Sequence, residues 1–574
     1  MSRPAESAPF RRLLGAVLGC LLLGLPILAA PGDQGPKTVA GLPADRALAL
    51  GERMYREGLL PNGEPMQALV NGDVPVSGTA FSCASCHLRG GLGSWEGGIV
   101  TLATNGARLS QPRYWKFPNL SPEERKELDL KNSPPARPAY TDETLAQVLR
   151  TGFDPGGREL HFVMPRYTLG DQDMAILIHY LRNLSARWSP GVAGDTLHFA
   201  TVVTDGVSAE DQQAMLVPLR NYIERHNQFS AGFGNRMYLG VGGNEMTGGY
   251  RKLALSVWTL HGDPATWAGQ LQAHLDREPV FALLGGLSHG SWRPIHDFCE
   301  RAQLPCLFPL TDLPVVSDTD WYTQYLSKGY YQEGQAAARY LRSLGDPSVT
   351  GRMLQILQDG PEAEALAAGF RGTLQELGLD PAALREVRLA KGEVLTEASL
   401  AALLQKESPS TLLLWTGAGA FGPLAALAGR PDRPRLAFLS GRLLGAQAFA
   451  LPEQARPFTW FTYPYRDPRE EPAVSKYADS LLAGLAVRKP ETRISTRTYA
   501  MIQVLRQGLM DMDRNYYRDN FLDRIGMQRD QVLPDYLRLS FGPGQRYASK
   551  GCFVMQLSSG PDPQLVRRSE WVIH

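Results

Sequence analysis

Cys83-Ala84-Ser85-Cys86-His87 constrains the first third of the chain more than any other segment does, because its spacing is C-x-x-C-H. Two thiols three positions apart reach the two vinyl groups of one porphyrin, and the adjacent imidazole then faces the iron. The pattern predicts one covalently attached haem c, held by Cys83 and Cys86, with His87 as an axial ligand. A redox dithiol or half of a zinc site also uses C-x-x-C, but the following His favours the haem.

A second axial ligand is predicted at Met164. Iron that only transfers electrons takes a sixth ligand, and a thioether raises its potential relative to a second His. Met164 precedes Pro165 in a loop, which predicts a rigid, exposed arm. The rival ligands are Met54, Met66, Met174 and His161.

No second C-x-x-C-H occurs in the chain. This argues against a dihaem peroxidase, and a six-coordinate iron leaves no position for substrate. We therefore expect an electron carrier and not an enzyme.

Helices are predicted on both sides of the motif, at Ala47–Glu57, Asp142–Thr151 and Asp171–Leu184. The loop between them, residues 90–138, is rich in Gly, Pro and Asn and has no regular period. We predict an all-α domain over residues 41–187.

Several motifs of residues 45–187 together resemble class I cytochromes c. Besides the C-x-x-C-H motif they are Gly90, Gly91, Gly93, the stretches 140–145 (YTDETL) and 152–158 (GFDPGGR), Met164-Pro165-Arg166-Tyr167, and 177–181 (LIHYL). The resemblance implies a haem packed among three or more helices, with one edge exposed for electron transfer. The loop between His87 and Met164 is longer than in the smallest members.

The N-terminus has the layout of a secretory signal peptide, predicted over residues 1–30. Arg11 and Arg12 precede an apolar run, Leu13–Ala30, which ends in small residues before Pro31. An uncleaved membrane anchor is the alternative, since the run is near the minimum for spanning a bilayer. We expect the mature protein in the periplasm. The formal net charge of +1 and the lack of a long basic run give no reason to expect nucleic acid as a partner.

The chain changes character after a Pro- and Gly-containing linker at residues 188–196. Short apolar strands then alternate with amphipathic helices, beginning with Leu197–Thr204 and continuing through Thr411–Trp415 and Leu436–Leu439. This alternation predicts parallel sheets with helices on both faces. Residues 197–574 are too many for one such sheet, so we predict two α/β lobes with a cleft between them.

Three further cysteines lie in this half of the chain. Cys299 and Cys306 are predicted to be either a disulfide or two buried thiols, and Cys552 a buried small residue.

Residues 196–574 look like type 1 periplasmic binding proteins, most like the branch that binds branched-chain amino acids and amides. The segments 279–288 (PVFALLGGLS) and 304–312 (LPCLFPLTD) carry the resemblance, with weaker support from 329–334 and 539–544. Family members bind an amino-acid carboxylate with hydroxyls and backbone N–H groups, and the ammonium with an acidic side chain. The matching strand-end positions here are Ser288, His289, Thr311, Asp312, Asp359 and Thr416. The alternative for each is a helix cap or a turn residue.

These features lead to a main hypothesis of a periplasmic monohaem electron carrier with a C-terminal solute-binding or docking module. Its expected partners are a periplasmic dehydrogenase, another cytochrome and a small molecule in the cleft. One alternative is an ABC-type solute-binding protein for amino acids or amides, or a sensor whose haem reports redox state. Another is the cytochrome subunit of a periplasmic dehydrogenase.

Overall fold

The computed structural model describes residues 37–96, 99–113, 136–233, 251–487, 492–512, 514–542 and 544–573. The predicted signal peptide, residues 1–30, lies outside the described residues, as does part of the predicted loop, residues 114–135. None of the helices in the described ranges is both long enough and apolar enough to span a bilayer.

The N-terminal unit is mainly helical. Its helices are α1 (Ala44–Glu57), α2 (Cys83–His87), α3 (Gly106–Leu109), α4 (Asp142–Thr151) and α5 (Asp171–Asn183). Its strands are β1 (Thr38–Val39), β2 (Leu42–Pro43), β3 (Gln67–Val70), β4 (Val74–Ser77), β5 (Trp95–Glu96), β6 (Ile99–Val100) and β7 (Arg166–Tyr167). The three helices predicted around the motif are confirmed to within a few residues at their ends.

The prediction of an all-α domain is wrong, because β4, β3 and β7 form an antiparallel sheet. Asn71 and Gly72 follow β3 and both have positive φ, 51° and 92°. Asn-Gly is a strong signal for a hairpin turn, since these residues tolerate that conformation. The sequence therefore contains a hairpin signal that lies outside its helical periodicity.

Helices α1 and α5 cross at Gly51. A Cβ atom at Gly51 would lie 2.6 Å from Cβ of Tyr180 and 2.7 Å from the carbonyl oxygen of Ile176. Only glycine allows this approach, which lets apolar side chains of both helices, including Met54 and Leu177, share one buried core.

The first lobe is built on a six-stranded sheet, five of whose strands have the order β10-β9-β11-β12-β13. These strands are β9 (Thr196–Thr204), β10 (Lys252–Leu260), β11 (Ala282–Leu284), β12 (Cys306–Leu307) and β13 (Thr323–Gln324), and their pairings are all parallel. Helices α6 (Ala209–Phe233), α7 (Trp267–Arg277) and α8 (Arg293–Arg301) connect them. The predicted linker contains a strand, β8 (Val192–Ala193), which pairs antiparallel with β9.

The second lobe is built on an eight-stranded sheet, and its first five strands are parallel, in the order β15-β14-β16-β17-β18. They are β14 (Met353–Gln358), β15 (Leu384–Leu389), β16 (Thr411–Trp415), β17 (Leu436–Ser440) and β18 (Thr459–Tyr463). The last three, β19 (Gly551–Leu557), β20 (Leu565–Arg567) and β21 (Val572–Ile573), are antiparallel. The sheet is thus mixed and not wholly parallel as predicted.

Helices α9 (Gly329–Ser343), α10 (Pro347–Thr350), α11 (Pro361–Glu376), α12 (Glu397–Glu407), α13 (Phe421–Ala426) and α14 (Gly441–Leu444) belong to the second lobe. Short 3₁₀ helices supplement both lobes, at Pro264–Thr266, Pro381–Ala383, Gly417–Ala420, Gly445–Ala450 and Glu453–Phe458. After β18 the chain forms α15 (Glu471–Gly484), α16 (Ile494–Asp511) and α17 (Arg518–Gly526).

Within the described residues, the chain passes between the two lobes three times. The first passage leads from β13 to α9, and the second follows β18, because α16 and α17 pack into the apolar core of the first lobe. The third precedes β19, which returns to the second sheet. Both predicted α/β lobes are therefore present.

The N-terminal unit contacts the first lobe directly at the loop that follows His87. The Gly90 N–H donates to the Asp523 carboxylate at 2.8 Å. Arg89 stacks on the Trp321 ring, 4.1 Å from its centroid. Arg56 pairs with Asp519 at 2.6 Å. Through Asp519 and Asp523, helix α17 thus contacts both helix α1 and the segment that follows the C-x-x-C-H helix.

The cysteines of the lobes are buried free thiols. Burial and then the neighbouring Cys306 raise the pKa of Cys299 well above its ordinary value, so these two thiols lie side by side. Cys552 is fully buried and its thiol contacts the Gln332 carbonyl oxygen at 3.8 Å, in agreement with its predicted role.

Candidate functional site

The C-x-x-C-H segment forms the short helix α2, which presents its two thiols to different surroundings. Cys83 is buried, and its Sγ lies 3.8 Å from the Tyr167 hydroxyl, which donates to the Phe81 carbonyl oxygen at 3.1 Å. Burial raises the pKa of Cys83 to about 11. Cys86 is exposed. One thiol therefore faces the interior of the unit and the other faces solvent.

The His87 imidazole is oriented by the backbone. Its Nδ1 lies 2.7 Å from the Leu102 carbonyl oxygen. Because a carbonyl only accepts, Nδ1 carries the proton and Nε2 keeps its lone pair. Burial lowers the pKa of His87, against the opposing effect of the bond to Leu102. A neutral imidazole whose second nitrogen is fixed by a carbonyl is the form in which His binds metals.

Met164 is half-buried and packs against the apolar cluster that contains Cys83. Arg166 holds its loop, since the guanidinium donates to the carbonyl oxygens of Met164 at 2.5 Å and Leu160 at 3.0 Å. The rival ligands differ from it in exposure: Met54, Met66 and Met174 are at most 2% exposed, and His161 is exposed and stacked on Phe162.

These residues fit the donor set that a haem c needs. Two thiols lie three positions apart on one helix, a neutral imidazole follows them, and a thioether packs against the same apolar cluster. In the described parts of the chain, no group of three or more His, Cys, Asp or Glu side chains is arranged to hold a metal ion.

The second candidate site lies at the carboxyl ends of the parallel strands of the two lobes. Among the parallel strands of each sheet, the one that comes first along the chain lies between the second and the third. This order creates a switch point, where open α/β sheets bind ligands. In the first lobe this point lies between β9 and β11. Ser288 and His289 follow β11, and the His289 N–H donates to Thr204 Oγ1, at the end of β9, at 2.9 Å.

The side chains at the switch points differ in what they contact. In the second lobe, Asp359 follows β14 and Thr416 follows β16. The hydroxyls of Ser288 and Thr416 are buried and have no hydrogen-bond partner. His289 and Asp359 are exposed. The two hydroxyls are therefore the better candidates for ligand contacts.

Thr311 and Asp312, which follow β12, have different roles. Thr311 Oγ1 accepts the Leu313 N–H at 3.0 Å, which is the turn role named as its alternative. Asp312 forms a salt bridge to Arg442 of the second lobe, and its Oδ1 also lies 2.7 Å from Arg497 Nη2 of helix α16. Burial alone would raise the pKa of Asp312, but the two guanidiniums lower it below its ordinary value. Asp312 is thus an ionised carboxylate that links the lobes.

Glu333 completes this cluster, which we call the inter-lobe charge cluster (Asp312, Glu333, Arg442, Arg497). Glu333 Oε2 accepts the hydroxyls of Ser440 at 2.9 Å and Thr462 at 2.8 Å. Its Oε1 lies 3.5 Å from Arg442 Nε. Burial raises the pKa of Glu333 to about 7, and the Arg442 charge only partly opposes that rise.

Of the six predicted cleft residues, the structure places one, Asp312, in this cluster, and the sequence analysis missed its other three members. Arg442 lies two positions after the apolar strand β17, whereas Asp359 and Thr416 directly follow their strands, so a slightly wider window at the strand ends would have included it. Glu333 stands in a helix next to Gly334 and three alanines, a hint of close packing. Arg497 lies inside a helix and no local signal marks it.

The sequence matches no protein-family model, and its comparison with curated proteins also found no match. Several solved structures align with about two thirds of the chain. A fatty acid ABC transporter substrate-binding protein from Thermomonospora curvata is 16% identical and covers 68% of this chain and 95% of its own, with a TM-score of 0.43. A solute-binding protein from R. palustris, in complex with benzoate, is 13% identical and covers 66% of this chain and 96% of its own, with a TM-score of 0.42.

A branched chain amino acid ABC transporter protein from Thermus thermophilus with bound valine is 10% identical over 66% of this chain and 97% of its own, also with a TM-score of 0.42.

Proposed function

We propose that the two lobes bind a small solute between them and that the N-terminal unit carries one haem c, so that an exported solute-binding protein also passes electrons. The observation that supports solute binding is the pair of buried, unpartnered hydroxyls, Ser288 and Thr416, one at the switch point of each sheet. A buried hydroxyl without a partner is costly, and a ligand group placed between the lobes would remove that cost. The solute serves uptake or sensing.

Ligand-dependent melting of the full-length protein tests solute binding. A panel of neutral, anionic, cationic and zwitterionic metabolite-sized compounds is expected to contain at least one that raises the melting temperature. The S288A/T416V double variant should lose that shift. T259V, an exposed residue on strand β10, is the matched control and should keep it. A panel in which no class of compound raises the melting temperature would refute solute binding.

A specific observation also favours the haem. His87 directly follows the second thiol of C-x-x-C, is buried, and has Nδ1 committed to the Leu102 carbonyl oxygen, which leaves Nε2 as the ligand atom. Cys83 and Cys86 would form the thioether links, and Met164 would supply the second axial ligand. When bound, haem c supplies one-electron redox chemistry. Its redox partners would be a dehydrogenase or another cytochrome outside the cytoplasm. The proposal includes the case in which this chain is itself the cytochrome subunit of such a dehydrogenase.

The haem is tested on protein produced with export and haem-attachment machinery. The denatured chain should retain the mass of one porphyrin. M164L should lose the weak sulfur-to-iron absorption band at the red end of the spectrum and have a lower midpoint potential. M66L is the matched control, because it removes a sulfur from a fully buried methionine of the same unit. Absence of porphyrin mass would refute the haem, and loss of the band in M66L but not in M164L would refute the ligand assignment.

A further inference from the structure

A groove with a volume of about 840 Å³ lies between helices α6 and α16 of the first lobe, and we call it the α6–α16 groove. Each helix lines it with one stripe of side chains, because positions three or four apart share a helix face. The stripes contain Tyr222, Arg225 and Phe229 of α6 and Ile502, Arg506 and Met510 of α16. The volume lies within the range of about 300–1,000 Å³ that small-molecule sites have.

The α6–α16 groove is remote from the switch point of the first sheet. Leu197 and Leu253, which also line the groove, lie at the amino ends of β9 and β10. The switch point lies at the carboxyl end of β9, near Thr204. At about 3.3 Å per residue, the part of β9 between Leu197 and Thr204 is about 23 Å long. The groove is therefore a different place from the cleft between the lobes.

Apolar and aromatic side chains form most of the wall of the groove, and part of that wall faces solvent. Tyr477 of α15 packs on Tyr499 of α16, with ring centroids 6.4 Å apart, so a third helix closes one side. At the mouth, Phe229, Tyr477 and Met510 are each more than half exposed. Large apolar side chains gathered at one exposed place indicate a surface that binds another molecule.

The charged side chains that line the groove are cationic. Among the described residues of its wall they are Arg225, Arg251 and Arg506, and no Asp or Glu is present there. The Arg251 guanidinium is occupied, since it stacks on the Tyr516 ring at 4.7 Å from the centroid. Arg225 and Arg506 form no salt bridge with any residue that the structure describes. Burial lowers the pKa of His226, so this imidazole is neutral near pH 7.

The acids that flank the lining positions do not neutralise these cations. Each accepts a hydrogen bond from a side chain four positions away in its own helix. The donors are Gln228 for Glu224 at 3.3 Å, Ser475 for Asp479 at 3.0 Å and Gln507 for Asp511 at 2.9 Å. The groove thus combines an apolar wall with positive charge, which is complementary to an anion that carries an apolar chain.

We propose that the α6–α16 groove binds a soluble single-chain amphiphile with an anionic head group, such as an alkanoate. The chain would lie along the apolar stripes of α6 and α16, and the head group would meet Arg225 and Arg506. This site is separate from solute binding between the lobes and from the haem, so each of the three can fail without the others.

The test is calorimetric titration of the full-length protein at constant ionic strength, with every probe below its critical micelle concentration. Hexanoate, octanoate and decanoate vary the chain, whereas 1-decanol and decyltrimethylammonium vary the head group. Each added pair of methylenes should tighten alkanoate binding by about threefold or more, because the groove buries more of the chain. Decanoate should bind about tenfold or more tightly than either compound with a different head group. Equal affinities for hexanoate and decanoate overturn the proposal, and so does decyltrimethylammonium binding as tight as that of decanoate.

Three double variants locate the site. R225Q/R506Q removes two exposed charges, so it should fold as the wild type does and bind decanoate about tenfold more weakly. R220Q/R529Q removes two exposed arginines outside the groove and is the matched control, which should bind as the wild type does. S288A/T416V, which alters the cleft between the lobes, should also keep decanoate binding.

The remaining outcomes would each overturn the proposal. Unchanged decanoate binding by R225Q/R506Q would remove the head-group contacts from it. Loss of decanoate binding in S288A/T416V would place the alkanoate in the cleft, against this inference and in favour of solute binding there. Absence of decanoate binding by the wild type would overturn it, whether or not a second copy of the chain covers the groove. Binding to vesicles of anionic phospholipid but not to decanoate would assign this surface to a membrane instead.

Discussion

Two buried carboxyl groups stand out at the scale of single residues. Asp523 accepts the Gly90 N–H and is 7% exposed, and burial raises its pKa to about 7. Glu333 is fully buried in the inter-lobe charge cluster, and burial likewise raises its pKa to about 7. Each acid therefore changes charge near neutral pH at an important contact, Asp523 between the N-terminal unit and the first lobe and Glu333 beside Arg442.

Stability should fall with rising pH because of Asp523. Its pKa in the folded protein lies above the ordinary value of 3.8, so the folded state holds a proton that the unfolded state releases. The stabilisation that Asp523 contributes is complete below about pH 4 and is lost as the pH rises through about 7. It amounts to about 1.4 kcal/mol for each unit by which the pKa in the folded state exceeds that in the unfolded state. Between pH 4.5 and 7.5 the melting temperature of the wild type should fall more than that of D523N. D276N, an exposed carboxyl variant, should follow the wild type. Parallel curves for wild type and D523N would contradict this expectation.

At the scale of elements, close contacts and caps fix how the helices of the N-terminal unit meet. Helix α4 begins with a capping box between Thr141 and Thr144 and ends at Gly152 in the left-handed conformation. Helices α1 and α5 approach each other at Gly51, where no side chain fits. The ends of α4 are therefore local properties of the chain, whereas the crossing depends on residues from two distant helices.

A methyl group at Gly51 should weaken this crossing. G51A places Cβ at 2.6 Å from Cβ of Tyr180, which is overpacking and costs about 1–3 kcal/mol. G269A is the matched control, because nothing lies within 4 Å of its added methyl in helix α7, and alanine should stabilise that helix by about 0.5–1 kcal/mol. The two variants should thus shift the calorimetric transitions in opposite directions. A stabilised G51A would show that the helices do not cross at this glycine.

At the scale of the whole molecule, the N-terminal unit and the first lobe meet through buried charges. Asp519 contacts Arg56 at 2.6 Å, Arg89 at 3.7 Å and the Tyr322 hydroxyl at 3.1 Å. The side chains of Arg56 and Asp519 are only 11% and 18% exposed. Asp519 thus bridges two arginines at the interface, and Arg56 also pairs with Glu52 at 2.6 Å. The two parts of the chain are therefore expected to unfold together.

Removal of Asp519 should separate the two transitions. D519A leaves Arg89 without its counterion and Arg56 with Glu52 alone, in a largely buried interface, at a cost of about 2–4 kcal/mol. Calorimetry should then show a distinct N-terminal transition, and protease should cut residues 188–196 faster. D297A removes an exposed partner of Arg293 and should change stability by less than about 0.5 kcal/mol. A single unchanged transition in D519A would mean that other contacts hold the interface.

Local patterns predicted much of the fold. The strand Thr411–Trp415 and the helix Asp142–Thr151 were predicted to the residue, because each depends on side chains within one turn or one strand. The antiparallel β19–β21 were not, since their pairing partners lie far away in sequence. The strand-end argument named one member of the inter-lobe charge cluster, Asp312, but not Arg442, Glu333 or Arg497.

By itself the sequence determined the spacing of the C-x-x-C-H motif, the helices around it and the alternation of strands and helices after residue 196, because each of these depends on neighbours along the chain. Only the tertiary structure decided which distant groups meet. Arg442 pairs with an acid 130 positions away, and Gly90 donates to one 433 positions away. No local period encodes such pairings, since they follow from how two sheets and a helical unit pack around shared charges.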